Sequence, residues 1–357
     1  MANKLYTGIY WRYSIYIMKY LYVLTSTQRD NYYEQFFLSL TSLKLLMPNA
    51  HTILLCDSKT KETLTGKRAE YEKLISELLS INVPETFSHI ETSRWLKTSM
   101  RNHVQGDFLY IDCDTIISED LSSIFKLDIN FGACLDCHSP LSSHANKDLF
   151  VNCDKKLDFS SYLSDKYYNG GIIYCSDTPQ AHKILDRWHE LWLYSRSKKI
   201  LRDMPSLNMA IHENFQYFTE LNGIWNCQLI ANYLPFLVDA KILHYFATNL
   251  IFYSSPFLFA SENIFNDIKE NGVISKKILK LLKNPKTSFI SQTRVFSGNE
   301  MLHVLDSDLF KSLYFMHKKT PLIFKFFNNV SSSFKKLIKN NLIKKNKKKN
   351  SVERFYN

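Results

Sequence analysis

Two aspartates one residue apart, Asp112 and Asp114, follow a short apolar run in the segment GDFLYIDCDTII. The run Phe108–Ile111 consists of aromatic and aliphatic residues typical of a buried strand. Two ionised carboxylates this close repel each other, so the pair predicts a positive group between them. Carboxylate oxygens are ligands that Mg²⁺ and Mn²⁺ prefer, and the pair therefore indicates a divalent metal site. A helix cap or a surface turn is the alternative, because Asp-x-Asp alone is a common pattern.

Strand and helix patterns alternate around this pair and predict an α/β fold with a mostly parallel central sheet flanked by helices. The predicted strands are Lys19–Thr25, His51–Cys56, Phe108–Ile111, Phe131–Leu135, Gly171–Cys175 and Ile242–Phe246. The predicted helices are Tyr32–Leu46, about Glu70–Leu79, a segment from Ile90, His182–Trp192 and Pro205–Ile211. Functional residues in such sheets lie beyond the carboxyl ends of the strands, where Asp57, Asp112 and Asp114 fall.

The composition indicates a folded protein, because 45% of its 357 residues are apolar and 14% are aromatic. The formal charge of +11 would suit a nucleic-acid-binding protein, but the charge is concentrated at one end. Residues 311–357 contain thirteen lysines or arginines and one glutamate, a net charge of +12, so the other 310 residues together carry −1. Nucleic-acid binding over the whole chain is therefore not expected.

Seven cysteines, scattered through apolar segments, suit a reducing cytoplasm better than a disulfide scaffold. The aromatic N-terminal stretch is interrupted by Arg12 and Lys19, so it falls short of the roughly 18–20 apolar residues of a spanning helix. It also has no small-residue cleavage site after a clean apolar core, so we expect no signal peptide. These features predict a cytoplasmic protein.

The segment from Cys134 to His138 (CLDCH) has the spacing of a c-type haem attachment site. No second Cys or His pair at ligand spacing accompanies it, as a zinc site would require. Two buried core thiols are the favoured interpretation.

Several segments, in the right order, resemble glycosyltransferase family 8. This GT-A-fold family of retaining enzymes includes bacterial lipopolysaccharide galactosyltransferases and glycogenin. FLYIDCDTII resembles the family's metal-binding stretch. Further matches begin at Ser93 (SRWL), Ala133 (ACLD), Tyr168 (YNGGII), Asp203 (DMPSLN) and Ile242 (ILHY). They extend over roughly residues 19–250, and their order is more specific than any single match.

The resemblance implies roles for these positions. The implied ligands of Mn²⁺ or Mg²⁺ are Asp112, Asp114 and His244. The residues that we expect to contact the nucleotide-sugar donor are Arg94, Lys97, Asp112 and Thr25. The residues expected to position the sugar or take part in catalysis are Asp136, Asn169 and Asp203.

Each position also has a plain structural interpretation. Arg94 fits a solvated helix charge, and Asn169 fits a turn residue. Asp203 fits a helix cap, and His244 fits a hydrogen-bonded core histidine. Two features differ from the family pattern. Met204 stands where the family has glutamine, and the lysine that follows the family's histidine has no counterpart.

The chain is expected to contain a catalytic domain over residues 1–250, a helical extension over 251–310 and a basic amphipathic tail over 311–357. A polar stretch, NPKTSFISQTR, suits a linker. In the tail, Ser331–Ser333 are predicted to cap a helix with an apolar face and lysines elsewhere. The segment PLIFKFF before them is a second apolar and basic patch. Such a tail is typical of peripheral attachment to an anionic membrane; a disordered tail and a nucleic-acid-binding tail are the alternatives.

Together these features predict a metal-dependent, retaining glycosyltransferase that uses a nucleotide-diphosphate sugar, most simply a UDP-hexose. The expected acceptor is a hydroxyl of a glycan or lipid-linked acceptor in bacterial surface polysaccharide or lipopolysaccharide synthesis, at the inner face of the membrane. A nucleotidyltransferase is one alternative, although the loop STQRDNYY has no glycine to grip phosphate. A non-enzymatic protein that binds a membrane or nucleic acid through its tail is the other.

Overall fold

The computed structural model describes residues 18–230, 232–246, 257–289, 304 and 307–333. Its contacts divide the chain into two units, Met1–Asn299 and Glu300–Asn357. The predicted domain boundaries at residues 250 and 310 stay predictions. The aromatic N-terminal stretch, the last residues of the predicted linker and the lysine run near the C-terminus lie outside the described residues.

The first unit is built on a seven-stranded sheet. Its strands are β1 Lys19–Leu24, β2 His51–Asp57, β3 Glu77–Ile81, β4 Phe108–Ile111, β6 Phe131–Leu135, β7 Tyr168–Cys175 and β8 Phe218–Leu221. They lie in the order β3-β2-β1-β4-β7-β6-β8. β7 runs antiparallel to both of its neighbours, and all other pairings are parallel. The carboxyl ends of β1, β2 and β4 therefore lie at one edge of the sheet, together with the amino end of β7.

A second sheet of three strands lies beside this edge. Its strands are β5 Thr115–Ile117, β9 Cys227–Gln228 and β10 Ile242–His244, in the order β5-β10-β9. β5 begins directly after Asp114, and β10 ends at His244. The pairing of Thr115 with His244 therefore holds the Asp114 carboxylate near the His244 imidazole.

Helices cover both faces of the large sheet. The described α-helices of the first unit are Tyr32–Leu46 (α1), Ser58–Thr63 (α2), His89–Thr98 (α3), Lys147–Lys156 (α4), Pro179–Ser197 (α5), Met204–Glu213 (α6), Leu234–Leu237 (α7), Glu262–Asn271 (α8) and Lys276–Leu282 (α9). Short 3-10 helices fill connections at Gly66–Lys73, Met100–Asn102, Ser122–Lys126, Asp136–His138, Leu141–Ser143, Ser161–Leu163, Phe215–Tyr217, Gly223–Asn226, Leu258–Ala260 and Pro285–Thr287.

The sheet is buried on both faces, which explains the continuous apolar runs in its strands. Along β1, Tyr20, Tyr22 and Leu24 belong to the core on one side, which also contains the buried residues of α1. The alternate residues Leu21 and Val23 belong to the core on the other side, with α3, α5 and α6. The predicted α/β fold with a mostly parallel sheet flanked by helices is confirmed.

One predicted element is wrong. The segment about Glu70–Leu79 is not a helix: a 3-10 helix ends at Lys73, and the chain then enters β3. β3 pairs in parallel with β2 over five residues, from Ile53 with Glu77 to Asp57 with Ile81. This pairing between segments distant in sequence outweighs the local helical preference of the residues.

In the second unit, Asp308–Lys319 forms a helix that begins at the cap Ser307, whose side chain accepts from the Phe310 N–H. Residues 321–333 form a further helix. Ser331–Ser333 therefore lie within a helix. The prediction that they cap the start of a helix is wrong. Proline at position 321 explains this, because its fixed φ suits the first turn of a helix. Among the described residues, no helix has both the length and the apolar character to cross a bilayer.

Candidate active site

The turn between β4 and β5 carries the two aspartates at the edge of the sheet. The backbone N–H of Asp112 donates to the carbonyl of Gly171 on β7 at 2.8 Å, and the N–H of Tyr245 donates to the carbonyl of Asp114 at 3.1 Å. The Thr115 hydroxyl donates to the Asp112 carbonyl at 2.9 Å. Both sheets therefore hold the backbone of this turn, so its carboxylates have a defined position.

Asp112, Asp114 and His244 form a group whose ligand atoms all lie within 4.8 Å of one another. His244 Nε2 is 3.2 Å from Asp114 Oδ1. Two carboxylates and one imidazole are a donor set that suits Mn²⁺, and the set also accepts Mg²⁺.

A glycine forms the floor of this group. A Cβ placed on Gly171 would lie 2.5 Å from His244 Cε1 and 2.9 Å from Asp112 Oδ2. Any side chain at this position would therefore fill the space where the carboxylates and the imidazole converge. The residues present fit a divalent metal ion in both chemistry and space.

A second cluster of charges lies beside the aspartates on α3. Lys97 Nζ is 3.1 Å from Asp112 Oδ1 and 3.5 Å from Asp203 Oδ2. Arg94 Nε is 3.2 Å from Asp203 Oδ1. Burial opposes ionisation of Asp203, yet the two cations hold the pKa of its carboxyl below the usual value. The positive group expected beside the paired aspartates is thus, for Asp112, the Lys97 ammonium.

Local sequence signals place these cations. Ser88 and Glu91 form a capping box at the start of α3, in which Glu91 N–H donates to Ser88 Oγ and Ser88 N–H donates to the Glu91 carboxylate. Arg94 and Lys97 follow at a spacing of three residues and so share one face of the helix. The Tyr110 hydroxyl, on β4 two residues before Asp112, donates to the Asp112 carboxylate.

A chain of buried side chains leads from His244 deeper into the protein. His244 Nδ1 lies 3.0 Å from Asn226 Oδ1, and Asn226 Nδ2 donates to Asn169 Oδ1 at 2.9 Å. Asn169 Nδ2 then donates to Asp136 Oδ1 at 2.7 Å, and the other oxygen of Asp136 is 3.0 Å from His144 Nε2. Asp136 and Asn169 therefore belong to one hydrogen-bonded network with the candidate metal ligands.

A crevice opens above the aspartates along the end of β1. It is lined by Thr25, Tyr32, His89, Arg94 and Lys97, with Tyr110, Asp112 and Asp114 at its base. The rings of Tyr32 and His89 stack with their centroids 6.0 Å apart. Thr25 Oγ1 is buried and has no hydrogen-bond partner among the described residues, so it is available to a ligand.

The nine candidate residues thus lie in one connected region. Their observed contacts can be compared with the purely structural roles that the sequence also allowed. Asp203 occupies the cap position of α6, but its side chain makes no capping hydrogen bond. Asn169 lies within β7 and not in a turn. Arg94 is ion-paired and is not a fully solvated charge. Asp114 has no lysine or arginine partner among the described ion pairs, and of the two paired aspartates Asp112 is the one that contacts Lys97.

The CLDCH segment is part of the protein interior. Cys134 and Cys137 are buried and unpaired, and burial raises the pKa of both thiols. His138 Nε2 accepts from the backbone N–H of Gln228 at 3.1 Å. These contacts fit the core-thiol interpretation. Cys137 also lies near Asp136 and His144, whose ligand atoms come within 4.8 Å of its sulfur. The hydrogen bond from Asn169 to Asp136 and the 3.0 Å contact between Asp136 and His144 account for this grouping.

Sequence reasoning missed four residues of the site. Tyr32 was assigned only to a helix, and His89, His144 and Asn226 were not considered. A tyrosine at the start of a helix directly after β1 was a usable signal for the crevice. No local pattern marks the other three, because their roles depend on contacts between distant segments.

A mixed α/β sheet with an acidic ligand set at its carboxyl edge is the arrangement of a GT-A-fold glycosyltransferase. Residues 16–249 match the model of glycosyl transferase family 8. This match covers more than half of the chain, and the chain therefore belongs to that family and is a glycosyltransferase. The expected family is confirmed.

Solved structures to which this chain is similar include glycosyltransferases. The bifunctional glycosyltransferase WbbM is 15% identical over 76% of this chain and 52% of its own, with a TM-score of 0.47. The galactosyltransferase LgtC, solved with donor and acceptor sugar analogs, is 14% identical over 74% of this chain and 99% of its own, with a TM-score of 0.45. The glycosyltransferase GlyE of Streptococcus pneumoniae is 14% identical over 78% of this chain and 66% of its own, with a TM-score of 0.47. The chain thus spans about half the length of WbbM. A comparison with curated proteins finds no match.

Proposed function

We propose that the enzyme transfers a hexose from UDP-hexose to a hydroxyl of a glycan or lipid-linked acceptor, and that the reaction requires Mn²⁺ or Mg²⁺. The observation that carries this proposal is the convergence of Asp112, Asp114 and His244 beside Gly171. The adjacent crevice is lined by the cations Arg94 and Lys97. When bound there, the metal would stabilise the negative charge of the departing diphosphate.

The crevice supports a nucleotide as the donor. The stacked rings of Tyr32 and His89 offer aromatic faces to a base, and the free hydroxyl of Thr25 offers a hydrogen bond. Arg94 and Lys97 follow His89 along α3, and Lys97 contacts Asp112, so their charges would meet diphosphate oxygens beside the aspartates. This order of groups follows the order of base, ribose and diphosphate in a nucleotide sugar.

The sugar would then lie toward Asp136, Asn169 and Asp203. Asp203 is held ionised between Arg94 and Lys97, so it can accept hydrogen bonds from sugar hydroxyls and cannot donate a proton. Asp136 and Asn169 are oriented by their own hydrogen bond, which limits the positions open to a sugar hydroxyl. Retention of the anomeric configuration is expected from the family, and none of these residues is assigned as a nucleophile.

A thermal-shift panel tests this proposal. UDP, GDP, CDP and their sugars are added to the full chain with and without Mn²⁺, and the unfolding midpoint is recorded. We expect stabilisation by UDP and a UDP-hexose that depends on Mn²⁺ and is lost in D114N. Stabilisation by no nucleotide diphosphate, or stabilisation unaffected by D114N and by metal, would refute it.

The acceptor and the location of the enzyme are inferred from the second unit. The helix of residues 321–333 exposes Leu322, Ile323, Phe326, Phe327 and Val330 along one side, each between 45% and 82% exposed. The last 47 residues contain thirteen lysines or arginines and one glutamate, a net charge of +12. An apolar stripe within a basic segment supports contact with an anionic membrane surface. We therefore propose a peripheral enzyme at the cytoplasmic face that acts in lipopolysaccharide or surface polysaccharide synthesis.

A further inference from the structure

Asn226 contacts the ring of the candidate metal ligand His244 directly. It closes the 3-10 helix Gly223–Asn226 and leads into β9, whose Gln228 pairs with His244 on β10. Asn226 is completely buried. Its position beside the imidazole is therefore fixed by the small sheet and not by a mobile surface segment.

The orientation of the amides in this region follows from groups with only one possible role. The backbone N–H of Gly171 can only donate, and it lies 2.8 Å from Asn169 Oδ1, so this atom of Asn169 must be the oxygen. The carboxylate of Asp136 accepts from the other end of the same amide at 2.7 Å, which sets the same orientation independently.

Asn226 must consequently turn its NH₂ group toward the oxygen of Asn169, and its own oxygen toward His244. An amide oxygen only accepts, so His244 Nδ1 carries a hydrogen. A neutral imidazole with hydrogen on Nδ1 has its lone pair on Nε2. Nε2 is the atom that lies 3.2 Å from Asp114 Oδ1, and two acceptors facing each other at this distance favour a cation between them.

We propose that Asn226 is a positioning residue that holds His244 in the Nδ1–H tautomer and so keeps Nε2 available to the divalent metal ion. This inference rests on the proposed metal site. It extends that site to residues that do not touch the metal. The backbone N–H of Gly171 and the carboxylate of Asp136 orient the amide of Asn169. The Asn169 amide orients that of Asn226, which sets the ring nitrogen of His244 that carries hydrogen. Partners of this kind typically change metal affinity by roughly 10- to 100-fold.

Two variants separate positioning from packing. N226L keeps a similar side-chain volume but removes both hydrogen bonds. N226D keeps an acceptor for His244 Nδ1–H and loses only the donation to Asn169. Mn²⁺ binding to the metal-free full chain is measured by electron paramagnetic resonance without any donor. We expect the affinity of N226L to fall roughly 10- to 100-fold and that of N226D to stay within about threefold of the parent or to rise.

A second measurement needs no variant at Asn226. Nitrogen-15 NMR of the Mg²⁺-loaded parent, labelled on histidine, reports which ring nitrogen of His244 carries hydrogen, and the signal is identified by its loss in H244Q. We expect hydrogen on Nδ1. Hydrogen on Nε2, full Mn²⁺ affinity in N226L, or an equal loss in N226D and N226L would each overturn the proposal. If the parent itself binds no Mn²⁺, the metal site and this role of Asn226 fail together. Hydrogen on Nε2 would remove His244 from the metal site but leave its two carboxylates, whereas the two outcomes with the Asn226 variants leave the proposed metal site intact.

Discussion

Gly171 and His244 are so close that the glycine leaves no room for a methyl group. A Cβ at position 171 would lie 2.5 Å from His244 Cε1, although the backbone there has ordinary negative φ. We therefore predict that G171A displaces the imidazole and lowers Mn²⁺ affinity at least tenfold, because His244 can move only by leaving Asn226 or Asp114. A Mn²⁺ titration followed by electron paramagnetic resonance measures this.

The adjacent glycine provides a matched control. A Cβ at Gly170 would meet Leu207 Cδ2 at 3.4 Å and Lys97 Nζ at 3.7 Å, which are ordinary contact distances. G170A should consequently keep its Mn²⁺ affinity. Equal behaviour of the two alanine variants would show that the space under His244 is not needed for metal binding.

Asp114 provides the second prediction. In D114N the amide lacks the charge of a carboxylate ligand, so the transition-state charge on the diphosphate is less well stabilised. We expect kcat/KM with the donor to fall by roughly 10²- to 10³-fold, equivalent to about 3–4 kcal/mol. Initial rates at several Mn²⁺ concentrations measure the effect. D128N, the same substitution at an exposed position, is the control; an unchanged rate in D114N would contradict the role of this carboxylate.

Lys97 and Arg94 should differ in their effect on stability. The side chain of Lys97 is 6% exposed and contacts both Asp112 and Asp203, whereas that of Arg94 is 36% exposed and contacts only Asp203. Removing one partner of a buried ion pair leaves an uncompensated charge, so K97M should lower the free energy of unfolding by about 3 kcal/mol. R94M should lower it by about 1 kcal/mol or less, because water screens the part-exposed guanidinium and Lys97 still pairs with Asp203. Urea unfolding compares the two variants, and equal losses would contradict this ranking.

Much of the sheet could be predicted from local patterns, because β1, β2 and β4 are buried on both faces and appear as continuous apolar runs. The segment Glu77–Ile81 could not, since its partner β2 lies some twenty residues earlier and its own side chains are only partly buried. Strand character there comes from hydrogen bonds to another segment, which the local sequence does not encode.

The candidate site divides in the same way. Asp112, Asp114 and His244 stand in segments whose type and order resemble a family, so they could be named in advance. Asn226 and His144 could not be named. In the segment between Asp136 and His144, Cys137 and His138 both adopt positive φ near 50°. A backbone of this kind at two non-glycine residues is uncommon and has no sequence signature.

Asp154 should make stability depend on pH. This buried carboxylate accepts from Ser161 Oγ at 2.6 Å and from the Tyr167 hydroxyl at 3.4 Å. Burial raises its pKa to about 6, above the value of about 3.9 expected in the unfolded chain. The folded state therefore holds the proton more tightly, so the stabilisation is fully present below about pH 4 and is lost as the pH rises through about 6.

In D154N this dependence should disappear, because the side chain is neutral at every pH. Relative to D154N, the parent should lose about 2–3 kcal/mol of unfolding free energy between pH 4 and pH 7. Urea unfolding at four pH values measures the difference. D148N, at an exposed position of the same helix, should track the parent at each pH. Parallel curves for the parent and D154N would contradict a raised pKa at this position.

The helix of residues 321–333 should bind anionic membranes through its apolar side. Phe326 lies at the middle of the stripe formed by Leu322, Ile323, Phe327 and Val330, and F326E would place a charge where an aromatic ring should enter the lipid boundary. Because burial of a phenylalanine contributes about 2 kcal/mol, binding to vesicles with anionic lipid should weaken at least roughly tenfold. Co-sedimentation of the full chain with such vesicles measures this. N328E adds the same charge on the opposite side of the helix, about 160° from Phe326 at 100° per residue, and should bind close to the parent. If both variants weaken binding equally, net charge alone holds the protein at the surface, and the apolar stripe has another purpose. If neither does, the helix does not touch the membrane.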